Sequence, residues 1–77
     1  MKRNADDYNR FKQKFSALIR DKRGLTKLSQ IELAKNCGIS QSTYSKIETG
    51  KLVPDAYSLI RMCNELNILK SDLDSIL

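Results

Sequence analysis

A chain of 77 residues, 40% apolar and 30% charged with three glycines and one proline, has room for a single small core. At this length one domain is expected, and the balance suggests neither the disordered nor the fibrous class. The net charge of +5 is uneven: residues 1–23 hold eight Lys/Arg against three Asp, residues 24–51 hold four against two, and residues 52–77 hold two against four.

The basic first two-thirds is either a polyanion-binding face or a solvated surface. Residues 1–5 are expected to form a flexible basic arm, with Lys2 and Arg3 either following a phosphate backbone or fraying. Asp6 or Asp7 caps a first helix running to about Lys22. Its apolar stripe is Phe11, Phe15, Leu18 and Ile19, at i, i+4, i+7 and i+8, and Tyr8 extends it by a turn. Gly24 ends this helix after basic residues suited to its negative end. Residues 24–28 form a loop with Leu25 and Leu28 turned inward.

The stretch from Ser29 to Gly50 divides at Gly38. Ile31, Leu33, Ala34 and Cys37 recur at helical spacing before it, and Ile39, Tyr44 and Ile47 after it. Ser29 and Ser40 stand where a side-chain oxygen accepts from the first free N–H groups, and Glu32 completes a capping box with Ser29. Gly38 and Gly50 stand where a left-handed residue is wanted. Two short helices, over about 29–36 and 40–48, thus meet at a tight glycine turn, the helix-turn-helix arrangement. Counted from Gln30, a small residue is required at the fifth place and glycine at the ninth. Apolar residues are required at the fourth, eighth, tenth, fifteenth and eighteenth. Ala34, Gly38, Leu33, Cys37, Ile39, Tyr44 and Ile47 fill every place.

Thr49 to Val53 is read as a turn held by Gly50, after which Pro54 and Asp55 open a fourth helix. Leu59, Met62, Cys63 and Leu66 give that helix its stripe, flanked by Tyr57 and Ile60. Asn67 ends it in a left-handed conformation. Ser71 caps a short fifth helix carrying Leu73, Ile76 and Leu77. The expected fold is therefore all-α, a compact bundle of about five short helices forming one domain over residues 1–77, with its helix-turn-helix core at 29–50.

The phrases SQIELAKNCGISQSTYSKIETGK and PDAYSLIRMCNEL resemble the lambda-repressor/Cro-like (XRE-type) family of DNA-binding domains over about Leu18 to Leu77. Three features depart from the family pattern. Leu25-Thr26-Lys27 lengthens the first loop, Tyr44 replaces the usual Ile or Val, and Asn67 stands where Gly is common. The resemblance implies a sequence-specific transcriptional regulator of double-stranded DNA that sets its third helix in the major groove, for example a compact repressor.

On that docking, Gln41, Ser42, Ser45 and Lys46 read bases. An amide pairs with adenine N6/N7, and an ammonium donates to guanine O6/N7 or to a phosphate. Gln30, Ser40, Thr43, Thr49 and Lys51 are the phosphate candidates, Gln30 also bracing the third helix, with Thr49, Gly50 and Lys51 offering backbone N–H groups and Lys27 in a lesser part. By the same resemblance Glu48 makes a structural ion pair with Arg20. So small a domain reads DNA as a homodimer on a palindromic operator. Leu69, Leu73, Ile76 and Leu77 are the interface candidates, about half of them needed to cover the core.

Catalysis is not expected, since the chain has no histidine, no paired-carboxylate pocket and no glycine-rich phosphate loop. No cofactor or metal is expected either. Cys37 and Cys63 fall at core positions, without CxxC spacing, as small hydrophobes of a reducing compartment. The polar start and the lack of a long apolar run predict a cytoplasmic chain without signal peptide or membrane span. RNA polymerase or a toxin are the protein partners the family suggests. The alternative function is a protein-interaction module or antitoxin-like component whose main role is binding another protein.

Overall fold

A computed structural model of the chain describes residues 5–77. Five helices follow one another, α1 (Ala5–Gly24), α2 (Gln30–Cys37), α3 (Gln41–Glu48), α4 (Ala56–Leu66) and α5 (Lys70–Ser75). The all-α bundle expected from the sequence is the fold observed. Of the expected arm, residues 1–4 lie outside the described residues, while Ala5 is already helical. Asp6 and Asp7 accordingly sit inside the first turn of α1, where their charge suits the helix dipole, and neither is its cap.

Local chemistry sets the other helix ends. Ser29 Oγ accepts from the Glu32 N–H at 3.1 Å and Glu32 Oε1 accepts from the Ser29 N–H at 3.0 Å, closing the capping box on α2. Gly38 follows α2 with φ +74°, and Asn67 ends α4 with φ +57°, a conformation asparagine tolerates better than most residues. The cap of α4 is Asp55, whose Oδ1 accepts from the Ser58 N–H at 2.7 Å. Pro54 therefore precedes the helix instead of opening it. Ser71 does not cap α5 either. That helix starts at Lys70, and Asp72 Oδ2 reaches back to the Leu69 N–H at 2.9 Å.

The core gathers Phe15 and Ile19 of α1, Leu33, Ala34 and Cys37 of α2, Tyr44 and Ile47 of α3, and Met62 and Leu66 of α4, with Ile68 beyond it. Ala34 is 2% exposed where α2 meets its neighbours, so a larger side chain there is expected to cost about 1–3 kcal/mol through overpacking. Leu28 packs against this core as expected, but Leu25 is 83% exposed. The loop is pinned instead by Thr26, whose hydroxyl donates to the Arg23 carbonyl at 2.8 Å and accepts from the Leu28 N–H at 3.1 Å. Both cysteines are free, Cys37 fully buried and Cys63 half-buried.

Candidate nucleic-acid interface

Helix α3 divides cleanly between inside and outside. Tyr44, Ile47 and Glu48 are buried, Gln41, Ser42 and Lys46 are exposed, and Thr43 and Ser45 lie half-buried between them. The four predicted base-reading side chains thus occupy the accessible part of one two-turn helix, with Gln41 and Ser42 in its first turn. Because the inner face carries two large core side chains, the outer face is fixed relative to the rest of the molecule.

The predicted phosphate contacts fare unequally. Ser40 caps α3, its Oγ accepting from the Thr43 N–H at 3.0 Å and donating to Thr43 Oγ1 at 2.9 Å. Thr49 Oγ1 donates to the Ser45 carbonyl at 2.9 Å. Lys51 is exposed and Gln30 half-buried. The expectation that Thr49, Gly50 and Lys51 offer free backbone N–H groups is overturned. Those groups donate to the Ser45, Ile47 and Lys46 carbonyls at 3.0, 3.2 and 2.8 Å. Gly50, at φ +80°, allows this closure of the helix end, in which the N–H groups go to carbonyls of the last turn. What remains for a phosphate after α3 is the Lys51 ammonium and the Thr49 hydroxyl, the latter only by leaving the Ser45 carbonyl.

The ion pair is also corrected. Glu48 is bound by Arg23, with Nε at 2.9 Å from Oε2 and Nη2 at 2.7 Å from Oε1. Arg20 donates to the Glu48 main-chain carbonyl at 2.6 Å. The two arginines are one turn apart on α1, so both reach the end of α3. The one nearer the helix end meets the carboxylate side-on, and the other meets the last carbonyl of α3. Gln30 Nε2 adds a longer bond of 3.3 Å to Glu48 Oε1, which braces α2 against α3. Burial alone would raise the pKa of Glu48, but the bonds from Arg23 and Gln30, together with the neighbouring Tyr44 hydroxyl, outweigh it and hold the carboxyl below its ordinary range. Glu48 is therefore an anion turned inward, away from any phosphate.

Sequence reasoning passed over Arg23 and Arg61. Arg61 of α4 donates to the Asn36 carbonyl in the last turn of α2, as Arg20 does at the end of α3. A basic pair three residues apart at the end of α1 was the available signal for Arg23. Gln13 was passed over as well; its amide lies against Gly50, within 2.8 Å of where a β-carbon would be.

Of the candidate interface residues, Leu73 and Ile76 pack partly against the core, while Leu69 and Leu77 are 61% and 88% exposed. Leu77 and Ile76 line an open groove of about 610 Å³ with Tyr8, Phe11 and Val53. Leu69 lies on another side, in a smaller hollow with Leu25 and Leu66. Among the described residues, no His/Cys/Asp/Glu cluster could hold a metal and no helix is long and apolar enough to cross a membrane.

Comparison with known proteins agrees with the fold. A family described as helix-turn-helix matches residues 19–73. A protein of Bacillus phage phi105 named ImmF control region 10 kDa protein is 40% identical over 62 residues, covering 75% of this chain and 69% of that protein. No solved structure matches.

Proposed function

The chain belongs to the lambda-repressor-like helix-turn-helix family of DNA-binding regulators, and from that premise we propose that it reads a palindromic operator as a homodimer with α3 in the major groove. The observation that carries this reading is the exposed polar row Gln41, Ser42 and Lys46 at the accessible face of a helix whose other face is locked into the core. Gln41 reads adenine, and Lys46 donates to guanine or to an adjacent phosphate. Gln30, through its second amide hydrogen, and the Lys51 ammonium contact phosphates on either side, with the Ser40, Thr43 and Thr49 hydroxyls in support.

Two copies join through the apolar groove that Ile76 and Leu77 line at the C-terminal end, with Leu69 as the candidate on the other side. The pair acts in the cytoplasm by occupying DNA or touching RNA polymerase there. Its relative from a phage control region supports a regulatory setting of this kind.

The test is selection from random genomic fragments at two salt concentrations, with wild-type chain and with Gln41→Ala/Lys46→Ala. Enrichment of a palindrome that the double variant loses would establish the reading and supply the operator. Uniform binding erased by salt, or none, would overturn it in favour of a module that binds another protein, a toxin among the candidates.

A further inference from the structure

Two arginines of α1 meet the end of α3, and they place their charge differently. Arg23 gives Nε and Nη2 to the Glu48 carboxylate, so an anion matches its charge. Arg20 meets neutral acceptors only. Its Nη1 donates to the Glu48 main-chain carbonyl at 2.6 Å and to Ser16 Oγ at 3.3 Å. Those bonds use the two hydrogens of Nη1, and a guanidinium carries five. The hydrogens on Nε and Nη2 have no acceptor among the described residues. Arg20 is exposed and stands in none of the ion pairs found there.

The surroundings of that open edge suit an anion. Gln13 lies about two turns before Arg20 on the same side of α1, and its exposed amide rests against Gly50. Lys51, the next residue, has an exposed ammonium. A guanidinium, an amide and an ammonium thus gather around residues 48–51, where the one carboxylate, Glu48, is turned inward to Arg23. The edge formed by Nε and Nη2 is the one with which Arg23 meets two carboxylate oxygens, and it fits two phosphate oxygens equally well. Because Nη1 is already held at the end of α3, less side-chain freedom is lost when the other edge binds.

We propose that the Nε and Nη2 edge of Arg20 binds a backbone phosphate of the DNA on which α3 sits, with Lys51 and the Gln13 amide as neighbouring donors. This rests on the docking of α3 in the major groove, and it adds a contact from α1 to those made after α3. Arg20 joins two things: Nη1 fixes the last carbonyl of α3, and the opposite edge ties that helix end to the duplex. Such a contact holds the pose of α3 and strengthens binding to every sequence, without choosing among bases.

The experiment compares three variants. Arg20→Gln keeps an amide donor for the Glu48 carbonyl but removes the charge, and Arg20→Lys keeps the charge. Lys12→Gln removes another charge of α1, one that lies 4.8 Å from the centre of the Tyr8 ring. Each is melted to establish that it is folded, then titrated over a salt series with a labelled random-sequence duplex of about 30 base pairs, roughly three helical turns. Arg20→Gln is expected to lower the slope of log affinity against log salt by about one and to weaken binding about fivefold at about 0.15 M salt. Arg20→Lys should keep the wild-type slope, and Lys12→Gln should keep both slope and affinity. An unchanged slope in Arg20→Gln, or an equal fall in Lys12→Gln, would overturn the phosphate contact while the DNA-binding reading stood. A slope lowered as far by Arg20→Lys would overturn it too, because the charge would then not be what salt displaces. A wild-type chain that bound no duplex at any salt would overturn both.

Discussion

Arg23 grips the Glu48 carboxylate with two nitrogens and so ties the end of α1 to the end of α3, 25 residues later in sequence. Glu48 is only 4% exposed. Without Arg23 its charge would be left buried with a single long bond from Gln30. Arg23→Ala is therefore expected to cost about 3 kcal/mol, as for other broken buried pairs. Arg20→Ala removes a bond to a main-chain carbonyl and a longer one, at 3.3 Å, to Ser16 Oγ, and is expected to cost about 1 kcal/mol. Glu48→Ala should likewise destabilise far more than Lys46→Ala at the exposed face. Denaturant unfolding of the four variants gives the order directly, and an Arg20 effect exceeding that of Arg23 would refute this account of the junction.

Stability should depend on acid but not on neutral pH. Asp55 and Glu32 are held below their ordinary range mainly by backbone N–H groups at helix caps, Asp72 first by the Leu69 N–H and then by Lys22. Glu48 is lowered as well. Depressed carboxylates contribute stability that is fully present above their unfolded values, about pH 4, and is lost as pH falls through the folded ones. With no histidine in the chain, no side chain of ordinary pKa titrates near neutrality. Melting temperature against pH should be level from about 5 to 8 and fall steeply below about 4. A slope near pH 6.5 would contradict it.

The glycines separate backbone strain from lack of space. Gly38 has open space around a would-be β-carbon but a positive φ of +74°, so Gly38→Ala is expected to cost about 1 kcal/mol from conformation alone. Gly50→Ala should cost a similar amount, because the contact at 2.8 Å is with the far end of the exposed Gln13 side chain, which can swing away. Gly50→Ala in a Gln13→Ala background measures whatever crowding remains. An effect more than halved by the second substitution would show that Gln13 is not free to move.

Base reading and phosphate contact should come apart under salt. Lys51→Ala is expected to weaken binding to all duplexes and to reduce the slope of log affinity against log salt by about one. Gln41→Ala should leave that slope alone and lose discrimination worth roughly 1–3 kcal/mol at one base pair. Anisotropy titrations over a salt series distinguish the two, and a changed slope for Gln41→Ala would assign that side chain to phosphate.

Because Leu69 and Leu77 are exposed, replacing both with Asp should change melting of the monomer by about 0.5 kcal/mol or less. On the proposed assembly the same pair should abolish dimerisation, as sedimentation would show. A dimer that survives would move the interface elsewhere.

What could be read from the chain was mostly local. The Ser29–Glu32 box, the glycine turn at Gly38 and the left-handed Asn67 depend on neighbours within a few residues, and each was legible for that reason. The buried set of α2 and α3 followed from spacing, except that Ile31, counted in the same pattern, is 60% exposed. The partner of Glu48 was not legible at that level, since Arg20 and Arg23 share a face and both long side chains reach α3. A lone loop leucine such as Leu25 has no periodicity to say which way it turns. Ser16 was unmarked too, a fully buried hydroxyl satisfied locally by the Gln13 carbonyl at 2.9 Å. The candidate reading face was visible because it is what the core pattern of α3 leaves over. The engaged N–H groups after α3 were implied by Gly50 itself, whose place at a helix end means that the chain turns back on its last carbonyls.

Helix α5 has six residues, none fully buried, and is moored by Leu73, Ile76 and the 3.1 Å ion pair between Asp72 and Lys22. Opening it therefore exposes little apolar surface and leaves α2 and α3 packed. Its amide hydrogens should trade with solvent deuterium well before those of Leu33 or Ile47, which are released only with the whole domain. The molecule is thus expected to be graded, with a firm helix-turn-helix and a compliant trailing end that another chain could reshape without disturbing α3.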